Sequence, residues 1–311
     1  MEVPTPYGAG PGGAGPGGAG PGGAGPGGAG PGGGDRRPRP VVRTWLYVPG
    51  DRPERFGKAL ACGADAVVID LEDAVAPVRK AAARDAVAGF LDRDHPRPVY
   101  VRVNPPGRGG EEDLTALRGT RVSGVRIPKC ERPAQVAEAA RLLPGVPLVP
   151  LLETALGIEH AHALATGHAM VSGLAFGEAD LAAELGTGHR DVLDAAAHRV
   201  LLAAAAARLP RPPLSVFPAV RDLDGLAVDC VRGRERGFFG RSVVHPAQVA
   251  VVNSVFTPGP GEVEAARRLV ESVERAGAGG AGAWLDANGG LVDAAALRRA
   301  RAVLDTASDA S

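Results

Sequence analysis

The chain has 311 residues, 45% of them hydrophobic and 23% charged, enough for one large α/β domain or two small ones. Its 35 basic residues balance its 35 acidic ones, so no net field favours nucleic acid or an anionic membrane, and no apolar segment nears the roughly 20 residues that span a bilayer. With no charged-then-apolar leader pattern, and with Cys62, Cys130 and Cys230 too far apart for a zinc site, the chain reads as cytoplasmic with free thiols.

Residues 8–34 repeat GAGPG with a period of five. Glycine has the most conformational entropy to lose and proline donates no backbone hydrogen bond, so residues 1–40 are expected to be a disordered Gly/Pro-rich tail. From Arg43 short β-rich runs follow one another: TWLYVP (44–49), DAVVIDLE (65–72), PVYVRVN (98–104) and GVRIPK (124–129). They continue as PLVPLLET (147–154), GLAFG (173–177), PLSVFPA (213–219) and RSVVHP (241–246). Between them, 52–63, 77–91, 132–143, 157–166 and 189–209 have helical spacing and composition. Apolar runs that alternate with helices about eight times indicate parallel strands covered on both faces. A closed (β/α)₈ TIM barrel over 41–257 fits the count and length, with a doubly wound open sheet as the alternative. Beyond it, a helix at 261–277, a Gly/Ala-rich loop at 277–283 and a helix near 292–304 form a C-terminal helical extension (258–311) suited to a lid or a subunit-swapped arm.

In such a barrel the site forms at the C-terminal strand ends. Those ends carry Tyr47, Glu72 with Asp73, Arg102 with Asn104, Lys129, Glu153, Glu178 with Asp180, and His245. Any one acid there can simply cap the following helix. So many like charges at one mouth repel unless a cation or basic partners intervene. Oxygen ligands without a His/Cys set favour a hard ion, Mg²⁺ first, which usually takes one or two protein carboxylates. Glu153 and Asp180 end the fifth and sixth runs, neighbours in a barrel, and are the expected pair. Arg102, with its planar fork, is placed to clamp a substrate carboxylate. Cys130 has no evident base beside it, and the HPAQ segment (245–248) reads as mouth architecture.

At these residues the chain resembles the HpcH/HpaI aldolase and citrate lyase β-subunit-like family of CoA-ester lyases. The resemblance runs from Arg43 to about Leu304. It rests on LYVPGDRPERF (46–56), DAVVIDLEDAV (65–75) with Lys80 and Arg84 behind it, VRVN (101–104) and IPK (127–129). LLETALG (151–157), FGEADLAAELG (176–186), GFFGRSVVHPAQV (237–249) and LVD (291–293) complete it. The resemblance implies a TIM barrel, commonly a homotrimer or larger homo-oligomer. It implies Mg²⁺ on Glu153 and Asp180, substrate on Arg102, and CoA contacts at Tyr47 and Lys58. Glu72 and Asp73 would sit near the metal and hold its waters. Asp293 would be a general acid/base reaching the site from a neighbouring subunit's lid, although the Met and Pro that relatives place around that acid are missing. The implied reaction is cleavage or formation of a C–C bond in a 3-hydroxyacyl-CoA such as malyl-, citramalyl- or citryl-CoA, exchanging it with acetyl-CoA and a small keto acid. The alternatives are a malate or citramalate synthase or malyl-CoA thioesterase at the same site, a CoA-independent HpcH-type aldolase, and a non-catalytic metabolite-binding subunit.

Overall fold

Seven of the eight apolar runs fold as strands of one parallel sheet in the computed structural model, which describes residues 42–276, 283–285 and 291–309. The expected tail over 1–40 and residues 277–282 of the expected loop lie outside them. Strands β1 (Thr44–Pro49), β2 (Ala66–Asp70), β3 (Val99–Arg102), β4 (Gly124–Ile127), β5 (Leu148–Leu152) and β6 (Ala175–Phe176) pair in succession. Strand β7 (Arg241–Val243) returns to the free side of β1.

The run at 213–219, expected as the seventh strand, shrinks to a single bridge from Leu214 to Arg241. Pro212, Pro213 and Pro218 lack an N–H, so this segment cannot sustain a ladder on both sides. Towards β7 the backbone still pairs, with Leu214 N donating to Gly240 O and Ser242 N to Leu214 O. Towards β6 a side chain replaces the ladder. Ser215 Oγ donates to Phe176 O at 2.6 Å and accepts from Glu178 N at 3.1 Å. The fold is the expected TIM barrel, with one stave reduced to a bridge.

Strand alternation sorts the side chains into two sets. Leu46, Val48, Val67, Ile69, Val99, Val101, Val125 and Ile127 join the large apolar layer under the helices. The intervening positions face the barrel axis. A small apolar cluster of Val149, Leu151 and Ala175, packed by Tyr100, fills part of that space. The rest is polar, and it is where the chemistry sits.

Helices α1 (Phe56–Ala61), α2 (Lys80–Phe90), α3 (Gly110–Ala116), α4 (Pro133–Leu142), α5 (Ala155–Glu159), α6 (Ala161–Thr166), α7 (Glu178–Leu185), α8 (Arg190–Ala206), α9 (Leu223–Glu235) and α10 (Ala247–Phe256) cover the sheet. Local chemistry sets their ends: Thr154 Oγ1 caps α5, Asp222 caps α9, and Gly186, at φ 67°, closes α7 in a left-handed turn. Four of these helices, α3, α7, α9 and α10, are absent from the sequence reading. Their signals are weak, since α10 is rich in β-branched valines and α9 carries two glycines. Beyond α10, α11 (Pro260–Ala276) packs on α12 (Ala294–Asp309), and an antiparallel hairpin, β8 (Ala283–Leu285) with β9 (Leu291–Asp293), lies between them in the chain. No helix among the described residues is long and apolar enough to cross a membrane.

Candidate active site

A cavity of about 490 Å³ opens at the C-terminal ends of the strands. Its lining includes Tyr47, Arg55, Asp70, Asp73, Arg102, Arg126, Glu153, Glu178, Asp180 and Ser242. Asp70, last residue of β2, is 2% exposed. Its two oxygens accept from the backbone N–H groups of Glu72 and Ala74, and the bend this creates carries Glu72 and Asp73 into the mouth. Lys80 holds the same bend from behind, donating to Leu71 O and Glu72 O at 2.9 Å and to Asn104 Oδ1. Asn104 is in turn fixed by Asp113, which Arg84 binds.

Arg102 meets acids of its own chain in this structure. Its fork, Nε and Nη2, is closed on Asp70 at 2.7 and 2.6 Å, in the bidentate geometry expected for a substrate carboxylate. The remaining nitrogen, Nη1, lies 3.0 Å from Glu72 Oε2 and 3.6 Å from Asp73. Burial alone would lower the Arg102 pKa, but the Asp70 hydrogen bonds and charge more than offset this, so the guanidinium stays charged. Register explains the pairing, because Asp70 and Arg102 are direct partners across β2 and β3.

The expected metal pair meets at this mouth. Glu153 follows β5 and is 2% exposed; Asp180 stands in the first turn of α7. Lys129 Nζ lies 3.8 Å from Glu153 Oε1, 3.9 Å from Asp180 Oδ1 and 2.6 Å from Glu72 Oε1. Lys129 has the uncommon φ of 47°, and its backbone N–H donates to Glu153 Oε1 at 2.8 Å. Even so, burial, and then the charge of Glu72, push the Glu153 carboxyl up to about 8. Burial also raises Glu72, against the opposing pull of Arg102 and Lys129, and its Oε2 accepts no hydrogen bond.

Three carboxylates therefore converge on one ammonium, and burial pushes the pKa of two of them, Glu153 and Glu72, upward. Among the described residues no three His, Cys, Asp or Glu side chains are drawn together as a metal-holding group, and it is the Lys129 ammonium that stands between these acids. The site is also shaped around Glu153. A Cβ on Gly177 would lie 2.5 Å from Glu153 Cβ and 2.6 Å from Oε2, so only glycine leaves the carboxylate its place. Glu153 and Asp180, with Glu72 nearby, are the residues that could hold a metal.

The other expected residues are placed less uniformly. Tyr47 and Asp73 line the cavity. Lys58 does not, because α1 buries Phe56 and Ala59 and leaves Lys58 exposed on the other face; Arg55, one turn earlier, is the basic residue at the rim. Asp293 is also outside the cavity lining of its own chain. It accepts from Ala296 N at 2.7 Å, and this N–H, the Ala295 N–H and Arg298 and Arg299 hold its carboxyl below the usual range. His245 is a turn residue that accepts from Ala247 N, while Gln248 ties Val244 N to Phe217 O. Burial pushes the Cys130 thiol up to about 12, which removes it as a nucleophile.

Sequence reasoning missed Asp70, Arg55 and Arg126. A signal for Arg126 existed: a charge in mid-strand, between Val125 and Ile127, must face the barrel axis.

The family model described as HpcH/HpaI aldolase/citrate lyase matches residues 43–246. A (3S)-malyl-CoA thioesterase of Cereibacter sphaeroides is 38% identical over 240 residues, covering 75% of this chain and 84% of that protein. A citrate lyase subunit beta-like protein of Mycobacterium tuberculosis is 36% identical over 280 residues, covering 86% and 96%. Among solved structures, CitE from Mycobacterium tuberculosis in complex with magnesium, acetoacetate and coenzyme A aligns with a TM-score of 0.74 at 34% identity, covering 86% of this chain and 98% of that one. The chain belongs to the HpcH/HpaI aldolase/citrate lyase family and is an enzyme of its lyase type.

Proposed function

We propose that this family member is a cytoplasmic, Mg²⁺-dependent CoA-ester lyase. It would break or form the C–C bond of a 3-hydroxyacyl-CoA such as malyl-, citramalyl- or citryl-CoA, exchanging it with acetyl-CoA and a keto acid. The observation that carries this reading is the meeting of Glu153, Asp180 and Glu72 around the Lys129 ammonium, with Glu153, Asp180 and Arg102 lining one cavity. Magnesium bound to CitE from Mycobacterium tuberculosis supports the same ion here.

Glu153 and Asp180 would hold the ion, with Glu72 and Asp73 ordering its waters. When bound, the ion supplies positive charge that acidifies a substrate hydroxyl near neutral pH. Arg102, with Nε and one Nη2 hydrogen closed on Asp70, would orient a substrate carboxylate through its remaining Nη1 and Nη2 hydrogens. Arg55 and Tyr47, both in the cavity lining, would meet the CoA portion, and Lys58, exposed outside that lining, would reach only a part of it that extends beyond the cavity. Asp293 would exchange a proton with the α-carbon of the acetyl group, coming from a neighbouring subunit of a homotrimer or larger assembly. Its absence from its own chain's cavity lining is consistent with that origin. The arm over 258–311 would then act as a lid on the barrel of 41–257 and exclude water.

One observation favours a second reading, since a relative at 38% identity is named a thioesterase. The two readings part on products. Purified protein with Mg²⁺ is expected to convert at least one of malyl-, citramalyl- and citryl-CoA to acetyl-CoA and the keto acid. Release of free CoA and hydroxy acid instead supports thioester hydrolysis, and turnover of none of the three refutes the lyase reading.

A further inference from the structure

Arg126 has no carboxylate partner among the described residues, although it is only 1% exposed and its neighbour across the sheet, Arg102, contacts three. Its Nη1 donates to Tyr47 Oη at 2.8 Å and to Ser242 Oγ at 3.1 Å. Its Cζ lies 4.5 Å from the Trp45 ring centre and 5.4 Å from that of Tyr47. Nε and Nη2 meet no acceptor. A buried guanidinium supported only by neutral oxygens and ring faces is costly unless its charge is used. Arg126 and Tyr47 both line the cavity, so the charge is spent on whatever enters it.

The contact that transmits it is the phenol. Tyr47 Oη already accepts from Arg126, and no residue described accepts the phenol's single proton. A hydroxyl polarised from behind by a cation, with its proton uncommitted, is a preset donor towards negative oxygen. Arg102 brings less net charge to such an oxygen, since its own is already shared among Asp70, Glu72 and Asp73.

We propose that Tyr47 donates a hydrogen bond to an anionic oxygen of the bound substrate, and that Arg126 is the positioning residue that holds the phenol in this role. Tyr47 keeps its proton throughout. The oxygen has two possible sources: the thioester carbonyl oxygen as it gains charge during C–C cleavage, or a carboxylate of the keto acid, charged throughout. The inference rests on the lyase reading above.

The test uses the full chain with Mg²⁺ and compares wild type with Tyr47→Phe, Arg126→Gln, Arg126→Lys and the Tyr47→Phe/Arg126→Gln double variant. Steady-state kinetics are run on the CoA ester that wild type turns over, and calorimetry measures binding of oxaloacetate and pyruvate. Tyr47→Phe is expected to lose roughly 10²-fold, the scale for removing one oxyanion donor. A fall in kcat with keto-acid affinity retained identifies the thioester oxygen; weakened keto-acid binding with kcat retained identifies the carboxylate. Arg126→Gln should reproduce whichever pattern Tyr47→Phe shows and add less than about twofold in its background, because it acts through the same group. Arg126→Lys, which keeps the charge and one donor, should recover part of the loss.

Tyr47→Phe within twofold of wild type in both kinetics and binding overturns the proposal, as do Arg126 and Tyr47 losses that multiply. If Arg126→Gln does not fold, Tyr47→Phe and Arg126→Lys decide the matter. Failure of wild type on every CoA ester strikes the lyase reading, and keto-acid calorimetry then still judges Tyr47, with unchanged binding in Tyr47→Phe counting against it.

Discussion

Gly177→Ala tests whether the proposed metal pair, Glu153 and Asp180, depends on the space beside it. Gly177 sits at φ −108°, ψ 89°, which alanine tolerates, and its N–H to Leu152 O is retained, so the backbone itself does not oppose the change. The added Cβ meets Glu153 Cβ at 2.5 Å and Oε2 at 2.6 Å. Glu153 cannot retreat, because it is 2% exposed and its Oε1 is held by Lys129 N. Overpacking of this kind costs about 1–3 kcal/mol, or about 2–10 °C in Tm for a domain of this size. Magnesium tolerates little distortion of its octahedron, so a displaced ligand should weaken binding by roughly 10–100-fold. The assay is a thermal melt with and without Mg²⁺, from which affinity follows by the ligand-induced shift. A Gly177→Ala protein that melts like wild type and binds Mg²⁺ within twofold would show that Glu153 is not confined as described.

Glu153→Gln and Asp180→Asn should each abolish the Mg²⁺-dependent rise in Tm and lower kcat by at least about 10²-fold, read by the same melts and a lyase assay. Asp70→Asn takes the bidentate carboxylate from Arg102 and leaves it only Glu72 and Asp73, and should cost about 1.5–3 kcal/mol in urea unfolding. Because Glu153 holds its proton to about 8 when folded but only to the ordinary carboxylate range when unfolded, it favours the folded metal-free state at low pH. That contribution should disappear as pH rises from about 5 to 8, so the metal-free Tm should fall over that window in wild type more than in Glu153→Gln. A proton on Glu153 also competes with the cation, and Mg²⁺ should therefore raise Tm more at pH 8 than at pH 6.

The strand ends were legible in the sequence for a simple reason. A short apolar run that stops on a carboxylate marks both a buried segment and the point where it leaves the core, and that pair of facts located Glu153 and Asp180. The run at 213–219 shows where the reasoning fails. Its residues are as apolar as those of a strand, but Pro213 and Pro218 within it, and Pro212 just before it, remove donors on which a ladder depends, and a serine hydroxyl closes the barrel there instead. Helix α10 fails in the opposite sense, its valines suggesting a strand although it packs as a helix on α9. Lys58 looked like a site residue because it lies in a recognisable motif, and helical periodicity turns it outward.

The residues that escaped the reading share a different cause. Asp70 lies inside an apolar run, two residues before the conspicuous Glu72, and no sequence pattern says which of the two acids Arg102 will take. Register decides it: Asp70, Arg102 and Arg126 are successive partners across β2, β3 and β4, one carboxylate and two guanidinium groups on a single rung facing the barrel axis. The carboxylate pairs with its immediate neighbour, which leaves the second guanidinium one strand too far away. Arg126 must then find neutral partners, and the nearest inward-facing hydroxyls are on the other side of the barrel, on β1 and β7. That unequal division of charge along the rung follows from strand order, which a single sequence does not contain. It also separates the two arginines by function: one is fixed to the protein's own acid, and the other keeps its positive charge uncompensated behind a tyrosine that faces the cavity.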